Sequence, residues 1–291
     1  MASDKQIPGI FIEGETLPRV WENSLLQLWD KGAQIKTEYD KADSPPSRDA
    51  TCMMVINNPM KEPRLHRCFP GGIEELYKYV EEVINGVHDH WIKPDEGKWT
   101  YTYHQRLFNY YVLNDVKDIC VNGSPPNSPF PPVNQIQDMI EHLAKSNYTR
   151  RAQAITWIPT ADPKTDDPPC LQRVWCRIIE VEGMKYLEMN THWRSRDAYK
   201  AAFMNMFALT ELQTYMAVQV SKILKETVQV GRYIDISDSY HIYGFYFKEF
   251  ENSFLKLVND RTFDKRVWDS TDKTVQYGKK NAMKMLKEET K

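Results

Sequence analysis

Strand-like and helix-like segments alternate irregularly along this chain, and that irregularity constrains its fold most. A regular β-α-β series would point to a parallel sheet, whereas irregular order points to an α+β architecture. The stretch LPRVWENSLLQLWDKG reads as a helix, and ATCMMVINNP as a strand closed by Asn58-Pro59. From 73 to 87, Ile73, Leu76, Tyr77, Val80, Val83, Ile84 and Val87 form one apolar stripe at helical spacing. Trp91 to Tyr111 is dense in aromatics, and NGSPPNSPFPP at 122–132 is a proline-rich surface loop. A second short helix follows at 133–144, then strands at 152–159, 171–181 and 185–191. The longest apolar helix spans 203–225, residues 231–246 are β-prone, and a charged helical segment runs from about 248 to 291. The expected fold class is α+β, in one large domain or two small ones.

At 291 residues, 41% hydrophobic and 27% charged, the chain has the composition of a globular protein rather than a disordered or collagen-like one. Its net charge of -2 argues against a general nucleic-acid coat but leaves room for a local basic pocket. No apolar stretch approaches the ~20 residues of a membrane span. The opening MASDKQIPGIFIEG lacks the features of a secretory signal, so a cytoplasmic protein with no membrane partner is expected. Five cysteines (Cys52, Cys68, Cys120, Cys170 and Cys176) are widely spaced without a CxxC pair, which speaks for reduced thiols and against a zinc site. The phosphate loop GxxxxGK[ST], the dinucleotide turn GxGxxG, HExxH and the nucleophile elbow GxSxG are absent from the sequence. Asn122-Gly123-Ser124 and Asn147-Tyr148-Thr149 match glycosylation acceptors, but without a secretory signal they carry no weight.

Four segments concentrate chemistry: Arg150-Arg151 before a strand, Asp167-Pro168-Pro169-Cys170-Leu171-Gln172, Trp193-Arg194-Ser195-Arg196-Asp197 with Asn205 beyond it, and Ser239-Tyr240-His241-Ile242-Tyr243. Each alone has a structural reading as a solvated turn or a packed polar group. Together they describe a phosphate site, a thiolate and an amide. Arginine forks donate paired bonds to phosphate. A cysteine near arginines gains thiolate character. An asparagine both donates and accepts, so it can read a pyrimidine edge. The combination points to nucleophilic catalysis on a nucleotide base.

The ordered set from Arg150 to Tyr243 resembles the thymidylate synthase family, which implies a single domain over 1–291 with a mixed sheet and packed helices. Ser47-Arg48-Asp49, the 73–87 helix and Tyr101-Thr102-Tyr103-His104-Gln105-Arg106 are similar to its upstream elements, more loosely. The resemblance implies that Cys170 adds to C6 of the pyrimidine. Arg48, Arg194 and Ser195 would hold the 5′-phosphate, with Arg150 and Arg151 supplied by the second subunit of a sheet-mediated homodimer. Asp197 would orient the ring or the folate, Asn205 would pair with uracil, and His241 and Tyr243 would bond the sugar. Tyr103 belongs to the active-site segment. A glutamate on the 73–87 helix would organise water and protons: periodicity puts Glu75 and Glu82 opposite the apolar stripe and Glu81 on its flank, making Glu81 the first choice and Glu82 the alternative. The expected reaction is methylation of dUMP with 5,10-methylenetetrahydrofolate and no metal. The rivals are hydroxymethylation of dUMP, dCMP or CMP on the same fold, and a non-catalytic nucleotide-binding relative.

The chain also departs from the common family pattern. Leu171 follows the cysteine where common members have His, two motif spacings are longer, and MKMLKEETK is polar where usual members have an apolar tail. The PPCLQ form is more similar to archaeal-type and phage-type branches, which include hydroxymethylases.

Overall fold

The computed structural model describes residues 6–119 and 126–289; Cys120, Asn122-Gly123-Ser124 and part of the proline-rich loop lie outside them. The elements in chain order are β1 (Gly9–Gly14), α1 (Leu17–Lys31), β2 (Ala33–Ile35), β3 (Ser47–Ile56), β4 (Leu65–His66), α2 (Gly72–Asn85), α3 (Tyr103–Phe108), α4 (Gln135–Lys145), β5 (Gln153–Ile155), β6 (Leu171–Val181), β7 (Met184–Asp197), α5 (Ala202–Leu224) and β8 (Val228–Ile242). The remainder is α6 (Phe247–Phe250), a π-turn, α7 (Lys256–Asp260), β9 (Val267–Trp268) and α8 (Lys273–Glu289). The expected 152–159 strand shrinks to three residues. Past Ile155 the chain turns, and the Ile158 amide bonds the Asp162 carboxylate at 2.6 Å. The expected C-terminal helix is interrupted where β9 pairs with β4.

The chain forms two compact units: one holds residues up to Tyr77, Trp193–Thr210 and Gly231 onward, the other Lys78–His192 and Glu211–Val230. The first carries the strand order β1-β3-β8-β7, with β2 also on β3; the second carries β7-β6-β5. Because β1 runs parallel to β3 while β8 and β2 run antiparallel to it, the sheet is mixed.

The first unit closes around aromatic packing. Trp21 of α1 lies 5.1 Å from Phe203 and 5.6 Å from Phe254, ring centre to ring centre. Among these rings sits a buried charge. Glu22 accepts from Arg266 Nε at 2.7 Å and Nη2 at 2.6 Å, and from His66 Nε2 at 3.0 Å. His66 Nδ1 accepts from the Cys68 amide, which leaves its one proton on Nε2 for Glu22. Burial alone would raise the Glu22 pKa, but the bonds from His66 and Arg266 outweigh it and hold the carboxyl at about 2. A carboxyl depressed in this way stabilises the fold above its unfolded pKa, and the contribution is lost as pH falls through the folded value. We therefore expect urea midpoints of the native protein to fall as pH drops from about 5 towards 2. Glu22→Ala, which strands the Arg266 charge, should cost about 3–5 kcal/mol at neutral pH by urea denaturation.

Candidate active site

In the second unit, Cys170 stands half-buried immediately before β6, after the rigid Pro168-Pro169 pair. The Gln172 side chain donates back to the Pro169 carbonyl at 2.8 Å and ties off this turn. Tyr103, the first residue of α3, accepts the Leu171 amide on its hydroxyl at 3.2 Å, which brings it beside the cysteine turn. Helix α3 starts there because Thr102 caps it by accepting from the Gln105 amide at 3.0 Å. Arg106 anchors it through a buried fork to Asp162, at 2.7 and 3.1 Å, and a bond to the Thr156 carbonyl at 2.9 Å. Burial, then Tyr103, Cys170 and Asp167, push the Tyr101 hydroxyl well above the usual phenol range.

Glu81 and Glu82 part ways on α2. Glu81 faces outward and accepts from Asn85 at 2.5 Å. The Glu82 side chain is only 12% exposed and contacts His88 Nδ1 at 2.9 Å. Burial raises its pKa above the ordinary carboxylate value; His88 opposes that shift, Asp89 adds to it, and Lys78 opposes it more weakly. His88 stacks on Trp91 at 3.8 Å, and Trp99 meets Trp91 edge-on at 5.0 Å. Asp89 binds His104 Nδ1 at 2.6 Å and accepts from Thr102. Opposite the apolar stripe, the segment after the helix covers the end at Glu82, while Glu75 on the same face stays exposed. Gly86 makes the reversal with φ +64, and a Cβ there would meet the His104 ring at 2.2 Å.

Arg150 and Arg151 are exposed before β5 and, with His142 and Lys145, line an open basic cleft of about 660 Å³.

In the first unit, Arg48 lies within β3 rather than in a loop before it, its guanidinium 4.8 Å above the Trp29 ring. Arg194 and Ser195 are half-buried near the end of β7. Asp197 ends that strand and accepts the Tyr199 and Lys200 amides at 3.0 and 2.8 Å. Burial lifts its carboxyl to about 6 despite those bonds. Asn205 is 7% exposed in the first turn of α5. His241 at the end of β8 meets the Tyr243 ring at 4.6 Å, edge to face. Burial depresses the His241 pKa to about 4, so the ring is neutral at pH 7.

Three groups went unread in the sequence: Arg196, Asp49 with Ser239, and His88. Arg196 pairs with Asp235 in the core. Ser239 donates to Asp49 at 2.5 Å. Only Thr102-x-x-Gln105, a helix-start spacing, signalled α3 in advance.

Comparison with known proteins bears on the same segments. The family model for thymidylate synthase matches residues 74–282, and the chain belongs to that family of transferases. Relatives, each provisionally named a thymidylate synthase, come from methanogenic archaea. That of Methanosarcina acetivorans is 28% identical over 256 residues, covering 88% of this chain and 99% of the relative. That of Methanosarcina mazei is 28% identical over 251 residues, 86% of this chain and 97% of the relative. That of Methanopyrus kandleri is 26% identical over 215 residues, 72% and 83%. Among the described residues, no helix is long and apolar enough to cross a membrane, and no cluster of three or more His, Cys, Asp or Glu residues is placed to hold a metal ion.

Burial pushes the Cys68 thiol up to about 12 and those of Cys52 and Cys176 higher still. Limited alkylation with iodoacetamide at neutral pH, mapped by peptide mass, should therefore modify Cys170 before Cys52, Cys68 or Cys176. Labelling of Cys176 first would contradict this order.

Proposed function

We propose that the protein methylates dUMP to dTMP through a covalent adduct on Cys170, with 5,10-methylenetetrahydrofolate as donor. The observation that carries this reading is Cys170 itself: a half-buried thiol on a turn locked by two prolines and Gln172, with the Tyr103 hydroxyl bonded to the next amide. A phosphate-binding protein needs no such thiol.

In this reading the Cys170 thiolate adds to C6, and the electron pair moves to C5 and O4. The C5 carbanion then has the nucleophilicity to take up a one-carbon unit. Bound folate supplies that carbon at the formaldehyde level and then the hydride that reduces it, leaving as dihydrofolate. Loss of the C5 proton and, at the end, expulsion of the thiolate from C6 restore the pyrimidine. Asn205 accepts from uracil N3–H and donates to O4. Arg48, Arg194 and Ser195 take the 5′-phosphate, and His241 and Tyr243 the sugar. Asp197 orients the ring or the folate.

Glu82 replaces Glu81 as the preferred proton-handling carboxylate, because it is buried, raised in pKa and held by a ring nitrogen. A carboxyl raised in this way holds its proton to higher pH than an ordinary carboxylate, which suits it to proton transfer. Trp99, 40% exposed, and the face of Trp91 not taken by His88 suit a stacked heterocycle, and keeping water from the exocyclic methylene favours hydride over hydroxyl addition.

A homodimer accounts for Arg150 and Arg151, whose outward position lets them serve a second subunit. Alternation along β6 puts Arg173, Trp175, Arg177, Ile179 and Val181 on one face; Ile179 and Val181 there are 36% and 50% exposed, an apolar surface available to a second copy.

Incubation with 5-fluoro-dUMP and methylenetetrahydrofolate should give a covalent ternary adduct on the Cys170 peptide by mass spectrometry. Cys170→Ala should abolish both adduct and turnover while nucleotide still binds, and mixing it with inactive Arg151→Ala protein under subunit exchange should restore part of the activity. Bound nucleotide without adduct in the native protein would favour a binding module. Release of tetrahydrofolate with a product heavier by formaldehyde would make it a hydroxymethylase.

A further inference from the structure

Asp49 and His241 face each other across the β3–β8 pair. One step further the register slips: Ala50 opposes Tyr240, but Cys52 opposes Ser237, so β8 carries an extra residue there. A bulge of this kind re-aims the side chains beside it. Here Ser239 Oγ comes within 2.5 Å of Asp49 Oδ2 and 3.2 Å of His241 Nδ1.

Burial lifts the Asp49 carboxyl to about 6 against the bond from Ser239, so it is ionised at pH 7, and there the proton count along this chain has one solution. An ionised carboxylate only accepts, so the Ser239 hydroxyl spends its single proton on Asp49. Its oxygen then accepts, and the His241 Nδ1 must supply the proton. Burial keeps the ring neutral, against smaller opposing effects from the Ser239 main chain and from Asp40. A neutral ring has one N–H, so Nε2 carries a lone pair. That Nε2 is buried without a hydrogen-bond partner, and so is Asp49 Oδ1. Each of these bare acceptors calls for a donor, and a sugar hydroxyl would supply one to Nε2.

We propose that Asp49 and Ser239 are positioning residues that fix the tautomer of His241, so that Nε2 accepts a hydrogen bond from the nucleotide's sugar hydroxyl. This rests on the reading that His241 meets the sugar. Asp49→Asn reverses the relay: an amide N–H donates to Ser239, the serine proton turns to Nδ1, and the ring proton moves to Nε2, so that the ring donates to the sugar oxygen and no longer accepts its proton. Ser239→Ala removes the link.

The test compares binding of dUMP with that of 2′,3′-dideoxyuridine monophosphate, which lacks the hydroxyl, in each variant. The native protein should prefer dUMP about tenfold, the worth of one hydrogen bond. Asp49→Asn and Ser239→Ala should lower that ratio while leaving affinity for the dideoxy nucleotide unchanged. Nitrogen-15 NMR of the His241 ring should show the proton on Nδ1 in the native protein and on Nε2 in Asp49→Asn. Equal weakening of both nucleotides would mean a merely structural role and overturn the proposal. A ratio unchanged in both variants but lost in His241→Ala would overturn the relay alone and leave the sugar contact standing. A ratio unchanged in His241→Ala would overturn both.

Discussion

The buried pair between Arg196 and Asp235 holds together the part of the first unit on which most of its functional candidates depend. Arg196 reaches Asp235 Oδ1 with one nitrogen and the Ala202 carbonyl with another at 3.0 Å. Asp235 also accepts from Trp193 Nε1 at 3.1 Å and Tyr233 at 2.9 Å, and the guanidinium lies 4.0 Å over the Trp193 ring. Two charges removed from water are tolerated only when the remaining donors and acceptors are met, and here they largely are. Through these bonds the end of β7 is joined to β8 and to the first residue of α5. Arg194, Ser195 and Asp197 lie on that strand end, and Asn205 lies on that helix. Four candidate ligands of one nucleotide therefore take their positions from a fifth residue that is itself in the core.

How far the sequence disclosed this differs from residue to residue. The long elements announced themselves through periodicity: β6 runs from Leu171 to Val181 as expected, and α5 from Ala202 to Leu224 differs from its expected span by one residue at each end. The irregular order of strands and helices also carried over into a mixed sheet. What stayed hidden was pairing over distance. In Arg194-Ser195-Arg196, nothing local says which arginine goes inward, because its partner Asp235 is 39 positions away. The glutamates of α2 show the same limit. The apolar stripe located the core side of the helix, but Glu82 on the opposite side reads as solvent-facing until the segment beyond Gly86 is seen to return over it with His88. A helical wheel has no means of knowing what another stretch of chain will cover.

Polar residues in the β3–β8 pair make a related point. Arg48, Asp49, Ser239 and His241 are adjacent only because of strand register, and Ser239 reaches Asp49 only because that register slips. The two spacings visible in sequence, Arg48-Asp49 and Ser239-x-His241, become one hydrogen-bonded chain when the strands pair.

The placement of the cysteines bears on redox chemistry. Cys170 and Cys176 are six residues apart along extended chain, roughly 20 Å at about 3.3 Å per residue, far beyond disulfide reach. Cys176 is also buried. A sulfenic acid formed on Cys170 therefore cannot be captured by Cys176 as a reversible disulfide. Unless another thiol intervenes, continued oxidation leads to the sulfinic and sulfonic acids, from which a cysteine thiol does not ordinarily return.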